Sequence, residues 1–329
     1  MNPVPIQIAG VGRYLPGRVV LTAEVAARCG VPAAWAEARS GVRERRWAAR
    51  GELASEMAAH AAREALADAG LDARDVDLVL GASGTPEQPI PDGAAHAHRA
   101  LGLRGVPAFS IHATCLSFLA ALDVAACFIA AGRYRCVLIV SADVASVGID
   151  FDEPESALLL GDAAAAVVVV PAPDGAASRL HALQFETYSE GAALTEIRGG
   201  GSRLPPHAPA YRSADALFAM DGLGVLRLAK TRLPAFLDAL RPGLSCGLPG
   251  VDVVIPHGAS AAGLRLMGSL GWPDERIVTT LAWTGNCVAA SIPLALCEAV
   301  HTGRLRRGET ALLAGTGAGF SMGAALLTY

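Results

Sequence analysis

The feature that most limits how this chain can fold is an internal repeat. "DVDLVLGAS" (75–83) leads to Cys115, a helical run, "AGRYR" and "CVLIVSADVA". Later, "GVDVVIPHGAS" (250–260) leads to Asn286, a second helical run, "TGRLR" and "TALLAGTGAG". Seventeen residues separate Cys115 from Gly132, and seventeen separate Asn286 from Gly303. Each stretch closes in a small-residue apolar segment, "GDAAAAVVVV" in one and "GFSMGAALLTY" in the other. The period is too long for a solenoid and reads as a duplicated αβ unit. The halves are expected at 1–172 and 173–329.

Short Val/Leu/Ile runs without period-two alternation suit strands buried on both faces. They fall at Leu78–Leu80, Val137–Val140, Val167–Val170, Val253–Ile255 and Ala311–Leu313. The spacing predicts helices over 52–69, 116–131, 214–239, 260–270 and 287–300, with Gly70 and Gly132 at C-terminal caps. The helices after Cys115 and Asn286 are apolar all round, so both are expected between sheets. The expected class is α/β, with two αβ halves in a five-layered αβαβα arrangement. Residues 189–213, rich in Gly, Pro and Ser, read as a long surface loop.

Composition excludes several functions. With 329 residues, 52% of them hydrophobic, the chain can bury a large core. Net charge is −4 and no Lys/Arg block occurs, which argues against a nucleic-acid partner. The apolar run 116–131 carries Asp123 and is shorter than the roughly 18–20 residues of a membrane span. The N-terminus lacks a charged segment leading an apolar one, so it does not read as a signal peptide. The seven cysteines form no CxxC pair, which suggests neither a disulfide framework nor a metal site. A cytoplasmic protein with reduced thiols is expected. Gly315, Gly317 and Gly319 lack the Lys-Ser/Thr of a phosphate loop and are read as permitting close backbone approach.

A pseudo-twofold axis would bring the N-termini of the two central helices together, with Cys115 beside Asn286. A thiol there meets the positive end of the helix dipole and free N–H groups, which favour the reactive thiolate. His257 follows the strand "VDVVIP", and Gly258 permits a sharp turn. A neutral imidazole at that place can donate a hydrogen bond or shuttle a proton. Taken singly, a buried Cys is more often a small hydrophobe, a His after a strand a satisfied loop residue, and Gly-Asn a turn. Their placement at matching points of the repeat is what marks them. His112 is read as structural.

At these residues the chain resembles the ketoacyl-ACP synthase III family, within the thiolase fold, over nearly its whole length. "ATCLSF" around Cys115 looks like the segment of the family's acyl-accepting cysteine. "VIPHGAS" and "TGNCVAAS" look like those of its histidine and asparagine, here His257 and Asn286. "GTGAGFSMGAALL" (315–327), "LLLGDAAAAVVV" (158–169) and "SGVRERRWA" (40–48) are similar to its glycine-rich strand, GD box and early "TGIRER" segment.

The resemblance implies acylation of Cys115 by a thioester, then a Claisen condensation with a malonyl-type thioester. His257 and Asn286 would hold the enolate as carbon dioxide leaves, and the N–H groups of Cys115 and Ala318 would form the oxyanion hole. No metal or organic cofactor is implied; the partners are acyl-CoA, acyl carrier protein, or both. Trp35, six residues before Gly41, is similar to the tryptophan that stacks on the coenzyme A adenine. Arg39 and Arg43 would meet phosphates, and Arg227 resembles a basic residue near the pantetheine tunnel. The family implies a homodimer, with Ile90 reaching the partner's acyl pocket.

Four departures qualify this. "PHQAN" appears as "PHGAS", with Gly258 and Ser260, and Ser260 is kept as a substrate-binding candidate. Leu116 is expected to add bulk beside the thiol. Pro154 stands where an arginine should face the adenine, and Ala318 where the family has glycine. They point to a specialised relative in lipid or secondary metabolism, with one donor arriving on a carrier protein. Two alternatives stay open: acyl transfer from Cys115 to a hydroxyl or amine without decarboxylation, and a non-catalytic partner subunit. Retention of Cys, His and Asn argues against the second.

Overall fold

The computed structural model describes residues 3–329, and its two main sheets repeat one strand plan. The first holds β1 (Ile6–Tyr14), β2 (Leu78–Gly81), β3 (Ala108–Ser110), β4 (Val137–Val144) and β5 (Asp162–Pro171), in the order β1-β5-β4-β2-β3. The second holds β6 (Arg179–Thr187), β7 (Val253–Pro256), β8 (Thr310–Gly317) and β9 (Ser321–Thr328), in the order β7-β8-β9-β6. β1–β5 and β5–β4 are antiparallel and β4–β2 parallel. β6–β9, β9–β8 and β8–β7 follow the same sequence of senses. The irregularities match too. The first strand of each half carries one unpaired residue, Ala9 in β1 and His181 in β6, a bulge that bends the strand locally.

All five predicted strand runs lie inside these strands. β2 and β7 are buried along their whole length, which is why they show continuous apolar runs in place of alternation.

Helices α1 (Ala54–Asp68), α2 (Ser117–Ala130), α3 (Gly222–Leu240), α4 (Ala261–Ser269) and α5 (Ser291–His301) complete the layers. α2 and α5 lie between the sheets: α2 touches β1, β4, β5 and β9, and α5 touches β1, β5 and β7. α1 covers the outer face of the first sheet, and α3, with α4 beside it, that of the second. The small residues allow this closeness. A Cβ on Gly10 or Gly12 would sit 2.3 or 2.2 Å from the carbonyl oxygens of Ala65 or Ala61 on α1, far inside contact distance.

Three expectations need correction. The structure aligns Ser117 with Ser291, each hydroxyl accepting the N–H four residues earlier, from Ala113 and Cys287 at 2.9 and 3.0 Å. Cys115 is therefore matched to Ala289, and Asn286 to His112. The seventeen-residue spacing misled because α5 has 11 residues and α2 has 14. The helix expected over 214–239 starts only at Gly222, where the Asp221 carboxylate caps it by accepting the Gly224 N–H at 2.9 Å. Residues 189–213 are not wholly a surface loop. Thr195–Glu196 pairs with Ala219–Met220, and this pairing folds Leu194 and Thr195 inward to wall a cavity. Among the described residues no helix is long and apolar enough to cross a membrane.

Candidate active site

Cys115 sits in a single tight turn, Thr114–Leu116, directly before α2. The turn is strained: Thr114 has φ 51°, a left-handed conformation that costs a non-glycine residue about 1–3 kcal/mol. Ser117 holds it, its hydroxyl donating to the Thr114 carbonyl at 2.7 Å. The turn sends consecutive side chains opposite ways. Cys115 faces a cavity, and Leu116 goes into the core against the positions of Gly315, Gly317 and Gly323. Leu116 is fully buried and lines none of the cavities around Cys115. The expectation that it crowds the thiol and touches substrate is thus corrected.

β8 runs close over this turn. A Cβ on Gly317 would lie 2.7 Å from Thr114 Oγ1, and one on Gly315 2.7 Å from His257 Cβ. The glycines therefore serve backbone approach. The strand ends with the Ala318 N–H, and that of Cys115 itself, facing the Cys115 sulfur.

His257 leaves the end of β7 with its N–H donated to the Ala314 carbonyl at 2.8 Å, and Gly258 (φ 62°) turns the chain away. Its Nδ1 is buried without a partner. Burial pulls the imidazole down to about 4, so it is neutral at physiological pH. Asn286 follows Gly285, whose φ is 69°. Its backbone bridges the halves: the N–H donates to the Leu159 carbonyl at 2.7 Å, and the carbonyl accepts the Gly161 N–H at 3.0 Å. The side-chain Oδ1 accepts the Val288 N–H at 2.9 Å, which leaves the amide NH₂ as the group to donate. Cys115, His257, Asn286 and Ala318 line one cavity.

That cavity adjoins two others. One, sharing His257, Val225, Met220 and Ala259, opens between α3 and α4. The other, of about 400 Å³ and lined mainly by apolar side chains including Val144, Leu160 and Phe218, shares Cys115 and Ala318. The thiol thus lies between this entry, beside α3 and α4, and an apolar chamber that also reaches the surface at Val147.

One buried group was invisible in the sequence. Asp143, at the end of β4, accepts the N–H groups of Gly84 and Thr85 at 2.9 and 2.7 Å, the Thr85 hydroxyl at 2.8 Å, and the Ala290 N–H at 3.1 Å. It ties the loop after β2 to the turn before α5. Burial raises its carboxyl to about 6, so it is mostly charged at neutral pH. Burial first, and Asp143 second, push the Cys115 thiol up to about 12 against the pull of the two N–H groups. The helix N-terminus favours the thiolate, as expected, but desolvation outweighs it. Alkylation of Cys115 is therefore expected to climb about tenfold per pH unit from 7 to 9. Iodoacetamide kinetics read by mass spectrometry check this, and a plateau near neutrality would contradict it.

A family profile described as "3-Oxoacyl-[acyl-carrier-protein (ACP)] synthase III" matches residues 109–191, and its C-terminal counterpart matches 247–329. A thiolase N-terminal domain profile matches 36–147. The beta-ketoacyl-[acyl-carrier-protein] synthase III of Rhodospirillum rubrum is 38% identical over 327 residues, covering 97% of this chain and 98% of that protein. The chain belongs to the 3-oxoacyl-[acyl-carrier-protein] synthase III family. An acetoacetyl CoA synthase of Streptomyces sp., NphT7, is 32% identical over the full length of both chains. The crystal structure of a synthase III from Aquifex aeolicus superposes with TM-score 0.87 at 30% identity, covering 98% of this chain and all of that one. The fold is thiolase-like, as that likeness shows.

On this synthase III framework the remaining candidates scatter. Trp35 is 42% exposed on a short helix, Ala33–Ser40. Arg39, four residues on, pairs with Glu155 at 2.7 Å. Arg43 is exposed and is held by its backbone, the N–H donating to the Ala282 carbonyl at 2.8 Å and the carbonyl accepting the Thr22 N–H at 2.9 Å. Arg227 is exposed on α3, whose inward residues Val225 and Leu226 line the entry in its place. Ile90 is 84% exposed and lines none of this chain's own cavities beside Cys115. Ser260 both lines the entry and caps α4, its hydroxyl accepting the Gly263 N–H at 3.3 Å.

Proposed function

We propose that this chain joins two acyl thioesters by decarboxylative Claisen condensation through a covalent acyl-Cys115. The observation that carries the reading is the single cavity shared by Cys115, His257, Asn286 and Ala318, with an apolar chamber on its far side. The sulfur of Cys115 attacks the donor's carbonyl carbon, and the oxyanion lies against the N–H groups of Cys115 and Ala318. The donor's C–S bond breaks, and the leaving thiolate takes up the proton the Cys115 thiol gives away. The acyl chain then lies in the apolar chamber.

A malonyl-type thioester enters next. As its carboxylate leaves as carbon dioxide, the electron pair of that C–C bond moves into an enolate. The Asn286 amide and a neutral His257 bearing its proton on Nε2 donate to the enolate oxygen. That tautomer leaves the unpartnered Nδ1 as the lone-pair nitrogen. The enolate carbon attacks the acyl-Cys115 carbonyl, a C–C bond forms, the C–S bond to Cys115 breaks, and the departing thiolate takes a proton from solvent to restore the thiol. Carbon dioxide release matched to product, with malonyl thioester as extender, tests the reading. Product without carbon dioxide would point to simple acyl transfer.

We further propose that one donor arrives on acyl carrier protein. Where an arginine would face the adenine, Pro154 is followed by Glu155, which engages Arg39. A surface ion pair is worth about 0.2–1 kcal/mol, so Glu155→Gln is expected to lower the acyl-CoA KM up to about fivefold at unchanged kcat. Steady-state kinetics on both donor types read this out. An acyl-CoA KM already in the low micromolar range would count against carrier delivery. A homodimer is the proposed assembly, with the exposed Ile90 and the 78% exposed Val147 in its apolar contact.

A further inference from the structure

Away from the tunnel, α1 and α5 bring three metal-ligating side chains together. Cys297 and His301 are four residues apart on one face of α5, with Cys297 Sγ 3.6 Å from His301 Nδ1. Glu64 reaches across from α1, its Oε1 3.9 Å from the same nitrogen. The three ligand atoms fall within 4.8 Å of one another. A tetrahedral ion with Zn–S of about 2.3 Å and Zn–N of about 2.0–2.1 Å holds S and N about 3.6 Å apart. The Sγ–Nδ1 spacing equals that of two ligands on one ion, and because Nε2 lies 3.9 Å from the same sulfur, the partly exposed imidazole turns to aim its Nδ1 lone pair at the ion.

The surroundings fit as well. The other Glu64 oxygen, Oε2, accepts the Arg13 N–H at 2.9 Å, which orients the carboxylate as an outer partner does in a built site. Cys297 is buried, while the side chains of His301 and Glu64 are 30% and 42% exposed. An ion therefore has a path in and a fourth position open to water. Asp68 and Glu298 add negative charge around Cys297, and Arg13, the cation beside it, is engaged by Glu298.

We propose that Glu64, Cys297 and His301 bind one borderline-soft divalent cation, Zn²⁺ by preference. The S–metal bond forms as the thiol releases its proton to solvent, and no electron is transferred. The ion clasps α1 of the first half to α5 of the second. Cysteine spacing could not reveal the site, because its third ligand lies in the other half of the chain.

Titration of the full-length protein with Co²⁺ tests the proposal, read by the thiolate-to-cobalt charge-transfer absorption. One equivalent is expected to give a saturating band that Zn²⁺ abolishes, that persists in Cys127→Ala and Cys246→Ala, and that is lost in Cys297→Ala. His301→Gln and Glu64→Gln alter partly exposed side chains, so they should fold, and each should weaken Co²⁺ at least about tenfold. Zn²⁺ is expected to raise the melting midpoint of the wild type but not of His301→Gln. The absence of a saturable band, or a band that both Gln variants keep at full affinity, would overturn the proposal.

Discussion

Replacing His257 with Ala is expected to slow decarboxylative turnover about 10²–10³-fold while leaving Cys115 able to take up an acyl group. The two effects separate because the groups act on different oxygens. In the proposed mechanism the first half-reaction relies on the N–H groups of Cys115 and Ala318, which face the sulfur and which the substitution does not touch. The second places negative charge on the malonyl carbonyl oxygen, where the imidazole donates. One such donor in a water-poor site is worth about 2.7–4 kcal/mol in the barrier. His257 is neutral because burial pulls it down to about 4, so no acid limb from its titration is expected in the rate above about pH 5. Asn286→Ala should behave alike, and the double variant should fall short of the product of the single effects, since both donors serve one oxyanion. Single-turnover measurements, with acyl-enzyme read by mass and carbon dioxide by release, check this. Equal loss of both half-reactions in His257→Ala would make the imidazole a base for the thiol instead.

Gly285→Ala is expected to be strongly damaging at the seam between the halves. Gly285 has φ 69° and ψ −169°, a region nearly closed to any residue with a side chain. Its new Cβ would lie 2.5 Å from the Leu159 carbonyl oxygen. Strain and overpacking together amount to about 2–5 kcal/mol. Any relief must move the Asn286 N–H off Leu159, and with it the Asn286 amide. Denaturant unfolding should show the stability loss, and surviving folded enzyme should show a lower kcat. Gly30→Ala is the comparison: φ is 69° there too, with no atom near the added Cβ, so it carries a positive-φ cost without the clash. Equal stability of the two variants would remove the steric part of the argument.

The strands and central helices were legible because burial on both faces writes continuous apolar runs, and β2, β7, α2 and α5 have them. Cys115, His257 and Asn286 were singled out by a repeat register that the structure corrects and by the resemblance of their segments to those of the synthase III family, and all three line one cavity. The register of the repeat was not, because α5 lost three residues relative to α2 while keeping its closing glycine. Asp143 left no local trace: its partners come from residues 84–85 and 290, and a lone Asp after a strand has many possible roles. The inward fold of Leu194 and Thr195 depends on two-residue strands too short to show a period. The opposing pull of burial on Cys115 left no local trace, since the enclosing walls come from distant segments such as 191–195 and 316–320.

In the proposed mechanism Cys115 carries an acyl group through the reaction. Intact-protein mass spectrometry after exposure to acyl thioesters of graded length, on coenzyme A and on carrier protein, measures this directly. The predicted result is a gain of one acyl mass, confined to Cys115 and absent from Cys115→Ala. No gain with any donor, or a gain that survives Cys115→Ala, would contradict it.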